Sequence, residues 1–210
     1  MRTRVVLATR NAGKIAELRA ILSEAELDVD LIGVGDFPEL EDVPETGASF
    51  AANALLKARA VSAATGLPAI ADDSGLSVDA LGGMPGIFSA RWAGRHGDDE
   101  ANLQLLLGQL SDVPDERRQA AFVCAAVYVE PGGFESVHKA EMRGRIVRQP
   151  RGTNGFGYDP IFALGEGRLT TAEMSAVDKN AVSHRGKAFR ALADQLRWHL
   201  AGWEPPDSLR

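Results

Sequence analysis

The stretch Pro68–Trp92, with the sequence PAIADDSGLSVDALGGMPGIFSARW, contains the feature around which the rest of the chain is arranged. Apolar residues 69–71 predict a short buried strand, and two adjacent carboxylates, Asp72 and Asp73, follow it directly. A Ser-Gly pair comes next, and because these residues favour turns, we expect the strand to end there. The pattern therefore predicts both carboxylates at the carboxyl end of a strand, the edge of an α/β sheet at which ligands bind.

Successive side chains of a strand point to opposite faces, which limits what the two carboxylates can share. Asp72 and Asp73 can face one pocket only if the strand bulges or has already ended. We therefore expect one of them to do chemistry and the other to hold the turn. The pattern by itself is equally compatible with two Asp side chains that only hydrogen-bond their own backbone.

Length and composition are those of an ordinary globular protein. The chain has 210 residues, 45% of them hydrophobic, which is enough for a substantial core. Its 29 acidic and 23 basic residues give a formal net charge of −6, which argues against a protein that coats nucleic acid or lies on a membrane surface. No segment approaches the ~20 apolar residues that a membrane span needs. We expect a single domain over residues 1–201 and a loosely ordered tail over 202–210.

The one cysteine, Cys124, lies inside the apolar run AAFVCAAVYV. Without a second cysteine it can form neither a disulfide framework nor a thiolate metal site. Because unpaired cysteine is typical of a reducing compartment, we expect a cytoplasmic protein.

The N-terminal region predicts a strand over residues 5–8 and an amphipathic helix over 14–24. The loop between them reads Thr9-Arg10-Asn11-Ala12-Gly13-Lys14. The first N–H groups of a helix are unpaired and favour negative charge, so this arrangement forms an anion site to which the lysine adds a full charge. The spacing is not that of a P-loop, and a simple helix cap beside a solvated lysine explains it equally well.

A second helix is predicted from about residue 49 to 64, and Glu45 precedes it in a proline-containing loop. Asn53 and Lys57 recur with Phe50 at i, i+3 and i+7, so an amide and an ammonium share one helix face. The alternative is that Lys57 and the acidic loop are simply solvated.

The middle of the chain predicts a capped helix over residues 98–110, to which we assign no chemistry, and a meander with strands over 120–130, 134–142 and 144–148. A basic cluster lies at the end of this meander and comprises Arg143, Arg145, Arg148 and Arg151. Such a cluster can contact nucleic acid but is more typical of a solvated sheet edge.

The segment 150–160, PRGTNGFGYDP, surrounds two aromatic residues with glycines. Its backbone can approach a ligand closely while a ring of Phe156 or Tyr158 lies flat against it, and such stacking contributes ~1–3 kcal/mol per nucleobase. The alternative is a loop whose aromatic rings fill the core.

Cationic donors concentrate again ahead of an amphipathic helix that is predicted to run through residue 200. The cluster comprises Lys179, His184, Arg185 and Lys187. A lone histidine here would ordinarily begin a helix, but three neighbouring cations favour recognition of an anion or a carbonyl.

Several of these segments together resemble one known family. They are Thr9-x-Asn11-x-x-Lys14, Glu45-Thr46-Gly47, Asp72-Asp73-Ser74-Gly75 with the following GGMPGIFSAR, Gly155-Phe156-Gly157-Tyr158-Asp159-Pro160, and Ser183-His184-Arg185-Gly186. Each is a modest signal alone, but five in the same order resemble the inosine triphosphate pyrophosphatase family, also called Ham1 or non-canonical purine nucleoside triphosphate pyrophosphatases. The resemblance covers residues 5 to about 196, and Arg10 departs from it because relatives often have a small residue there.

The resemblance implies an elongated α/β fold in which helices flank a central mixed β-sheet, with the active site in a cleft between two lobes, assembled as a homodimer. The implied reaction is Mg²⁺-dependent hydrolysis of dITP, ITP and XTP to the monophosphate and pyrophosphate, which cleanses the nucleotide pool. Glu45 and Asp73 would bind the metal, and Asp73 would also activate the attacking water. Mg²⁺ prefers oxygen ligands, and these two carboxylates have no competing His/Cys cage in the sequence.

The same resemblance implies the substrate-binding residues, which are Thr9, Arg10, Asn11, Ala12, Gly13, Lys14, Lys57, Ser74, Phe156, Gly157, Tyr158, Asp159, Lys179, His184 and Arg185. Phe156 would stack on the base, Asp159 would orient the loop or the base, and Lys179 would hold phosphate or base. Hypoxanthine and xanthine present a 6-oxo acceptor where adenine presents an amino donor. Donors from His184 and Arg185 would therefore be left unpaired, or would clash, with ATP.

Two other functions remain open on the sequence. A Maf-like pyrophosphatase of similar fold would act on pyrimidine or modified triphosphates. A nucleotide- or RNA-binding regulator would use the arginine cluster and the Phe156 loop without catalysis, although the net acidity weakens that interpretation.

Overall fold

The computed structural model describes residues 3–10, 12–165 and 168–201. The predicted tail at 202–210 and the loop residue Asn11 lie outside the described residues. For Ala12 and Gly13 the structure describes only their place at the start of a helix.

Strands and helices alternate in the first half of the chain, and the strands then continue as a meander. The strands are β1 (Thr3–Leu7), β2 (Val29–Gly33), β3 (Ala69–Val78), β4 (Gln119–Val129), β5 (Glu135–Ile146) and β6 (Phe162–Ala163). The helices are α1 (Ala12–Glu24), α2 (Phe50–Thr65), α3 (Asp99–Gln109), α4 (Ala176–Val182) and α5 (His184–Leu200). A 3₁₀ helix, Gly86–Arg91, packs against β3.

Within the described residues, the six strands form one mixed sheet in the order β2-β1-β3-β4-β5-β6. β1 is parallel to both β2 and β3, whereas β3, β4, β5 and β6 pair with one another in antiparallel fashion. The predicted mixed α/β sheet with flanking helices is confirmed.

The boundaries of α2 and α3 fall within one residue of the predicted ones, because the cap residues act as expected, whereas α1 begins two residues earlier than predicted. The side chain of Ser49 accepts a hydrogen bond from the N–H of Ala52, and Gly66 ends α2 in the left-handed conformation at φ 67°. The side chain of Asp98 accepts from the N–H of Ala101 and begins α3 in the same way.

Two predicted strand ends are wrong, one inferred from the Ser-Gly pair at Gly75 and one placed between residues 142 and 144. β3 continues through Gly75 to Val78. The strand needs a glycine at residue 75 because a Cβ there would lie 2.5 Å from Ser89 Oγ. β5 likewise runs unbroken through Gly144, where a Cβ would lie 2.3 Å from the carbonyl oxygen of Ala163. Both glycines permit close approach of a neighbouring segment instead of ending a strand.

The long strands carry two hydrophobic cores in succession. At one end, Ile70 and Tyr128 pack against α1 and α5 through Leu18 and Phe189 on one face of the sheet. On the opposite face the strands pack against α2. Further along the same strands, a second core joins Leu76, Phe122 and Met142 to α3 and β6. The carboxylates of β3 lie between these cores, which agrees with the predicted cleft between two lobes.

The arginine cluster lies beside acidic side chains. Arg143 approaches Asp79 at 3.7 Å, and Arg148 approaches Asp115 at 2.7 Å. These exposed pairs favour the solvated sheet edge over a nucleic-acid surface. None of the described helices is long and apolar enough to cross a membrane.

Candidate active site

The side chains of Asp72 and Asp73 point to opposite faces of the sheet, because both residues lie inside β3. Asp73 faces α2, where Asn53 Nδ2 donates to its Oδ2 at 3.0 Å. Asp72 faces α1 and α5, where Lys14 Nζ lies 3.0 Å from each of its carboxylate oxygens. The alternation of side chains along β3 therefore separates the two carboxylates, and no turn is needed to give them different roles.

Asp73 belongs to a network of carboxylates and cations centred on Lys57. The ammonium of Lys57 lies 3.1 Å from Glu45 Oε1 and 3.7 Å from Asp73 Oδ1. Arg91 approaches the second oxygen of Glu45 at 3.4 Å. Asn53 also accepts the N–H of Gly47 at 2.7 Å, so the loop that carries Glu45 is tied to the same helix face. The shared face predicted for Asn53 and Lys57 is confirmed.

Burial and charge act differently on the two carboxylates of this network. Burial raises the pKa of Asp73, and Lys57 and Asn53 offset that increase only in part. For Glu45 burial also acts to raise the pKa, but the contacts with Lys57 and Arg91 outweigh it and lower the pKa. Asp73 is thus a stronger base than an ordinary aspartate, whereas Glu45 stays ionised.

These two carboxylates fit the donor set that Mg²⁺ requires. One oxygen of Glu45 and one oxygen of Asp73 approach the Lys57 ammonium, so the two carboxylates line the same wall of the site. Among the described residues no group of three His, Cys, Asp or Glu side chains gathers around a point. Mg²⁺ keeps several waters and commonly takes only one or two protein carboxylates, so the pair is sufficient for it.

The sequence suggested that Asp72 holds a turn, but its side chain instead joins two helices. Besides Lys14, Arg185 Nε lies 3.5 Å from Asp72 Oδ2, and the Ser74 hydroxyl donates to the same oxygen at 3.4 Å. Burial acts to raise the pKa of Asp72, but Lys14 and Arg185 outweigh it and lower the pKa. Asp72 is therefore an ionised, buried anchor for two of the predicted substrate-binding cations.

The glycine-rich loop is held by a buried carboxylate. Asp159 accepts the N–H of Phe156 at 2.9 Å and the hydroxyl of Thr171 at 2.7 Å, and it also pairs with Lys179. The ammonium of Lys179 lies 5.3 Å from the centroid of the Phe156 ring. The predicted role of Asp159 in orienting the loop agrees with these contacts.

The two rings of this loop have different environments. Phe156 is 67% exposed, whereas Tyr158 is 5% exposed and its hydroxyl donates to the carbonyl of Ser89 at 2.9 Å. Tyr158 thus fills the core, and Phe156 is available to a flat ligand. The alternative in which both rings plug the core is wrong for Phe156.

The imidazole of His184 stacks on an aromatic ring, and one of its own nitrogens has no hydrogen-bond partner among the described residues. Its imidazole stacks on Phe122 with centroids 5.2 Å apart and an interplanar angle of 13°. Its Nδ1 is buried and accepts or donates no hydrogen bond among the residues that the structure describes. Burial lowers the pKa of His184 to about 3, so the imidazole is neutral at physiological pH. An unpaired nitrogen in such a position is ready for a polar group of a ligand.

One cavity of about 480 Å³ brings these groups together. The predicted residues that line it are Lys14, Glu45, Lys57, Asp73, Ser74, Phe156, Gly157, Tyr158, Asp159, Lys179, His184 and Arg185. Its carboxylate end is formed by Glu45, Lys57 and Asp73, and its aromatic end by Phe156 and His184. A volume of this size, lined by an ionic cluster and by an exposed aromatic ring, suits a ligand with one anionic and one flat part.

Two predicted residues line a neighbouring cavity instead. Thr9 and Arg10 lie with Arg91 around a space of about 600 Å³ that shares Glu45 and Lys57 with the first. The guanidinium of Arg10 donates to the carbonyl of Leu40 at 2.6 Å. Thr9 and Arg10 thus lie on the other side of Glu45 and Lys57 from the first cavity's lining.

Several cavity residues were not among the predicted site residues. Phe122, Ser89 and Asp99 line it, and Asn53 holds Asp73 from outside. The helical spacing of Asn53 and Lys57 was a usable signal. For the others the chain offered none, because they arrive from β4, the 3₁₀ helix and α3 only through tertiary packing.

Comparison with known proteins agrees with the geometry. The sequence model of the Ham1 family matches residues 5–195. A dITP/XTP pyrophosphatase of Streptomyces avermitilis is 60% identical over 195 residues, which cover 93% of this chain and 98% of the relative. A dITP/XTP pyrophosphatase of Mycobacterium tuberculosis is 54% identical over 196 residues, or 93% of this chain and 96% of the relative.

Solved structures give the same result. A nucleoside-triphosphatase, dITP/XTP pyrophosphatase, from Mycobacterium abscessus superposes with a TM-score of 0.80 at 55% identity, covering 90% of this chain and 97% of the other. The Ham1 protein of Staphylococcus aureus superposes with a TM-score of 0.86 at 39% identity, covering 94% and 100%. The family model spans every residue that lines the 480 Å³ cavity, and the chain belongs to the Ham1 family.

Proposed function

We propose that the protein hydrolyses the non-canonical purine nucleoside triphosphates dITP, ITP and XTP to the monophosphate and pyrophosphate, with Mg²⁺. The observation that carries the proposal is the single cavity that joins the Glu45–Lys57–Asp73 end to the Phe156–His184 end. The first end suits a triphosphate and its metal, and the second suits a flat base with a polar edge. Relatives named dITP/XTP pyrophosphatase that align over nearly the whole chain support the same substrate class.

In the proposed reaction, Asp73 takes a proton from the attacking water. The oxygen of that water forms a new bond to phosphorus as the linkage between the α- and β-phosphates breaks, and pyrophosphate leaves. The raised pKa of Asp73 suits a general base. Lys57 lies beside the same carboxylate and neutralises phosphate charge, and Mg²⁺ held by Glu45 and Asp73 would add further charge neutralisation. Positioning and charge are the main catalytic contributions in phosphoryl transfer.

The base end explains selection by the 6-oxo group. His184 is neutral and has an unpaired nitrogen, and Arg185 is held close by through Asp72. A 6-oxo purine accepts from Arg185, and from His184 when Nδ1 carries the imidazole proton, whereas the amino group of adenine leaves such a donor unpaired. Phe156 supplies the stacking surface.

The first test is the identity of the products. With dITP and Mg²⁺, we expect dIMP and pyrophosphate in equal amounts and no orthophosphate, and we expect EDTA to abolish their release. A regulator would bind dITP without releasing either product, which would exclude the proposed reaction.

Family membership also supports a homodimer in the cytoplasm as part of the proposal. Sedimentation velocity in the presence and absence of dITP tests the assembly. A monomer at every concentration at which the enzyme is active would contradict it.

The Phe156 loop gives a prediction that depends on one glycine. Gly155 has φ 77°, and a Cβ there would lie 2.0 Å from Asp159 Oδ2, so Gly155→Ala must displace the carboxylate that holds the loop. Gly165→Ala is the matched control, since φ is 57° and no atom of the described residues lies within 4 Å of the added Cβ. Each variant pays the left-handed strain of ~1–3 kcal/mol, but only Gly155→Ala should raise KM for dITP, by about tenfold.

Steady-state kinetics at saturating Mg²⁺ decides the matter. If the two variants raise KM equally, the loop is not held through Asp159 in the way described.

A further inference from the structure

Helix α3, to which the sequence assigned no chemistry, contributes a carboxylate to the aromatic end of the cavity. Asp99 is the first residue of α3 and lines the cavity together with Phe156 and Gly157. Its Oδ2 accepts the backbone N–H of Gly157 at 2.9 Å. The contact joins residues far apart in the chain and is not required to form the helix.

The neighbouring acids show that the contact of Asp99 is separate from helix capping. Asp98 is the cap, since its side chain accepts from the N–H of Ala101. Glu100 accepts from Gln104 within the helix. Of these three consecutive acids, Asp99 is the one whose recorded hydrogen bond reaches the glycine-rich loop.

The loop that Asp99 reaches is also held by Asp159, but through the amide on the other side of the exposed ring. Gly155 and Gly157 both adopt positive φ, at 77° and 61°, and Phe156 between them is 67% exposed. Two consecutive amides of this segment bind carboxylates, the N–H of Phe156 to Asp159 and the N–H of Gly157 to Asp99. The backbone on both sides of the ring is thus fixed by charge-assisted hydrogen bonds from two different parts of the chain.

We propose that Asp99 is a positioning residue that fixes the Phe156 ring as a stacking surface for the purine base. The proposal rests on the proposed function and adds a residue to its specificity. Asp99 acts through the Gly157 amide, whereas Asp73 belongs to the separate network of Asn53 and Lys57. The loss of Asp99 therefore weakens binding of the nucleotide in the ground state and the transition state alike, which raises KM and leaves kcat unchanged.

The kinetic test uses two substitutions at Asp99 and one matched control. We expect Asp99→Ala to raise KM for dITP by about three- to fivefold, because the lost hydrogen bond is exposed to solvent and its charge is screened, with kcat within about twofold of the wild type. Asp99→Asn keeps an acceptor oxygen for the Gly157 amide and should restore KM to near the wild-type value. Glu100→Ala removes the same charge from the same helical turn without touching the loop, so it controls for the helix dipole.

A double-mutant cycle with Phe156→Ala separates positioning from a general structural effect. If Asp99 acts through the ring, Asp99→Ala should raise KM no further in the Phe156→Ala background. Amide hydrogen exchange gives a readout that needs no substrate, since the Gly157 amide should lose protection in Asp99→Ala and keep it in Glu100→Ala.

The possible outcomes distinguish failure of the Asp99 proposal from failure of the proposed function. A wild-type protein that neither binds nor hydrolyses dITP overturns the function, whatever the exchange data show. A wild-type protein that hydrolyses dITP, with Asp99→Ala and Glu100→Ala indistinguishable in KM, overturns the role of Asp99. Additive effects of Asp99→Ala and Phe156→Ala also overturn it.

Discussion

Replacing Asp73 by asparagine is expected to reduce kcat for dITP by about 10²–10⁴-fold, the contribution of a positioned general base, and to leave the melting temperature unchanged or higher. The loss of activity follows because the amide can neither accept the water proton nor supply an anionic oxygen to Mg²⁺. Stability does not fall, because the wild-type carboxylate is buried with a raised pKa, so folding with the ionised group costs free energy. Asparagine removes that cost, and its side-chain amide can still form a hydrogen bond with Asn53.

The neighbouring substitution should have the opposite signature. Asp72→Asn leaves Lys14 and Arg185 without the buried anion between them, and removing one partner of a buried ion pair costs about 3–5 kcal/mol. The side chain of Lys14 is 26% exposed, so part of that cost is recovered by hydration and the lower end of the range is expected. The melting temperature should fall by several degrees, whereas kcat should fall less than in Asp73→Asn.

Thermal unfolding in EDTA and single-turnover kinetics in Mg²⁺ measure the two effects separately. If Asp72→Asn were inactive but stable, and Asp73→Asn active but destabilised, the assignment of the two faces of β3 would be reversed.

The second large effect concerns discrimination between bases. Arg185→Ala is expected to lower kcat/KM for ITP while changing the already poor ATP reaction little, so discrimination shrinks by ~1–3 kcal/mol. Lys14→Ala should slow ITP and ATP by similar factors, since the triphosphate is common to both.

The structure makes this comparison stringent, because Lys14 and Arg185 contact the same carboxylate of Asp72. Any general loosening of Asp72 would affect both variants alike, so only a different ITP/ATP ratio distinguishes the two roles. Lys187→Ala is the matched control: the residue is exposed on the same helix, and its ammonium approaches the carbonyl of Glu141 at 3.5 Å. Equal changes of the ITP/ATP ratio in Lys14→Ala and Arg185→Ala would contradict the division into phosphate and base recognition.

Features that depend on local sequence were predictable from the chain. Ser49, Gly66 and Asp98 cap helices as their residue types predict, because capping involves only a few neighbouring atoms. The helical spacing of Asn53 and Lys57 correctly placed both on the face that meets Asp73.

Glycine was a poor guide to strand ends where its role is tertiary. Gly75 was interpreted as a turn residue, but it lies within β3. It is a glycine because the 3₁₀ helix Gly86–Arg91 approaches the strand there too closely for a side chain. Gly144 is in β5 for the same reason, against Phe162 and Ala163. A sequence shows that a side chain is missing but not which distant segment takes its place.

The contacts of Asp72 and Asp99 were also beyond the reach of sequence reasoning. Asp72 was expected to hold a turn, yet its partners come from α1 and α5. Asp99 resembled an ordinary acid in the first turn of a helix, and only the packing of α3 beside the glycine-rich loop brings it to Gly157.

The most direct test of the central claim is kcat/KM for pyrophosphate release from dITP, dATP and dTTP, measured with one preparation in Mg²⁺. The proposed cavity predicts that dITP is the best substrate, ahead of dATP by at least about tenfold, the value of one unmade buried hydrogen bond, with dTTP slower than dITP. A kcat/KM for dTTP or dATP equal to or above that for dITP would contradict recognition of a 6-oxo purine by Phe156, His184 and Arg185.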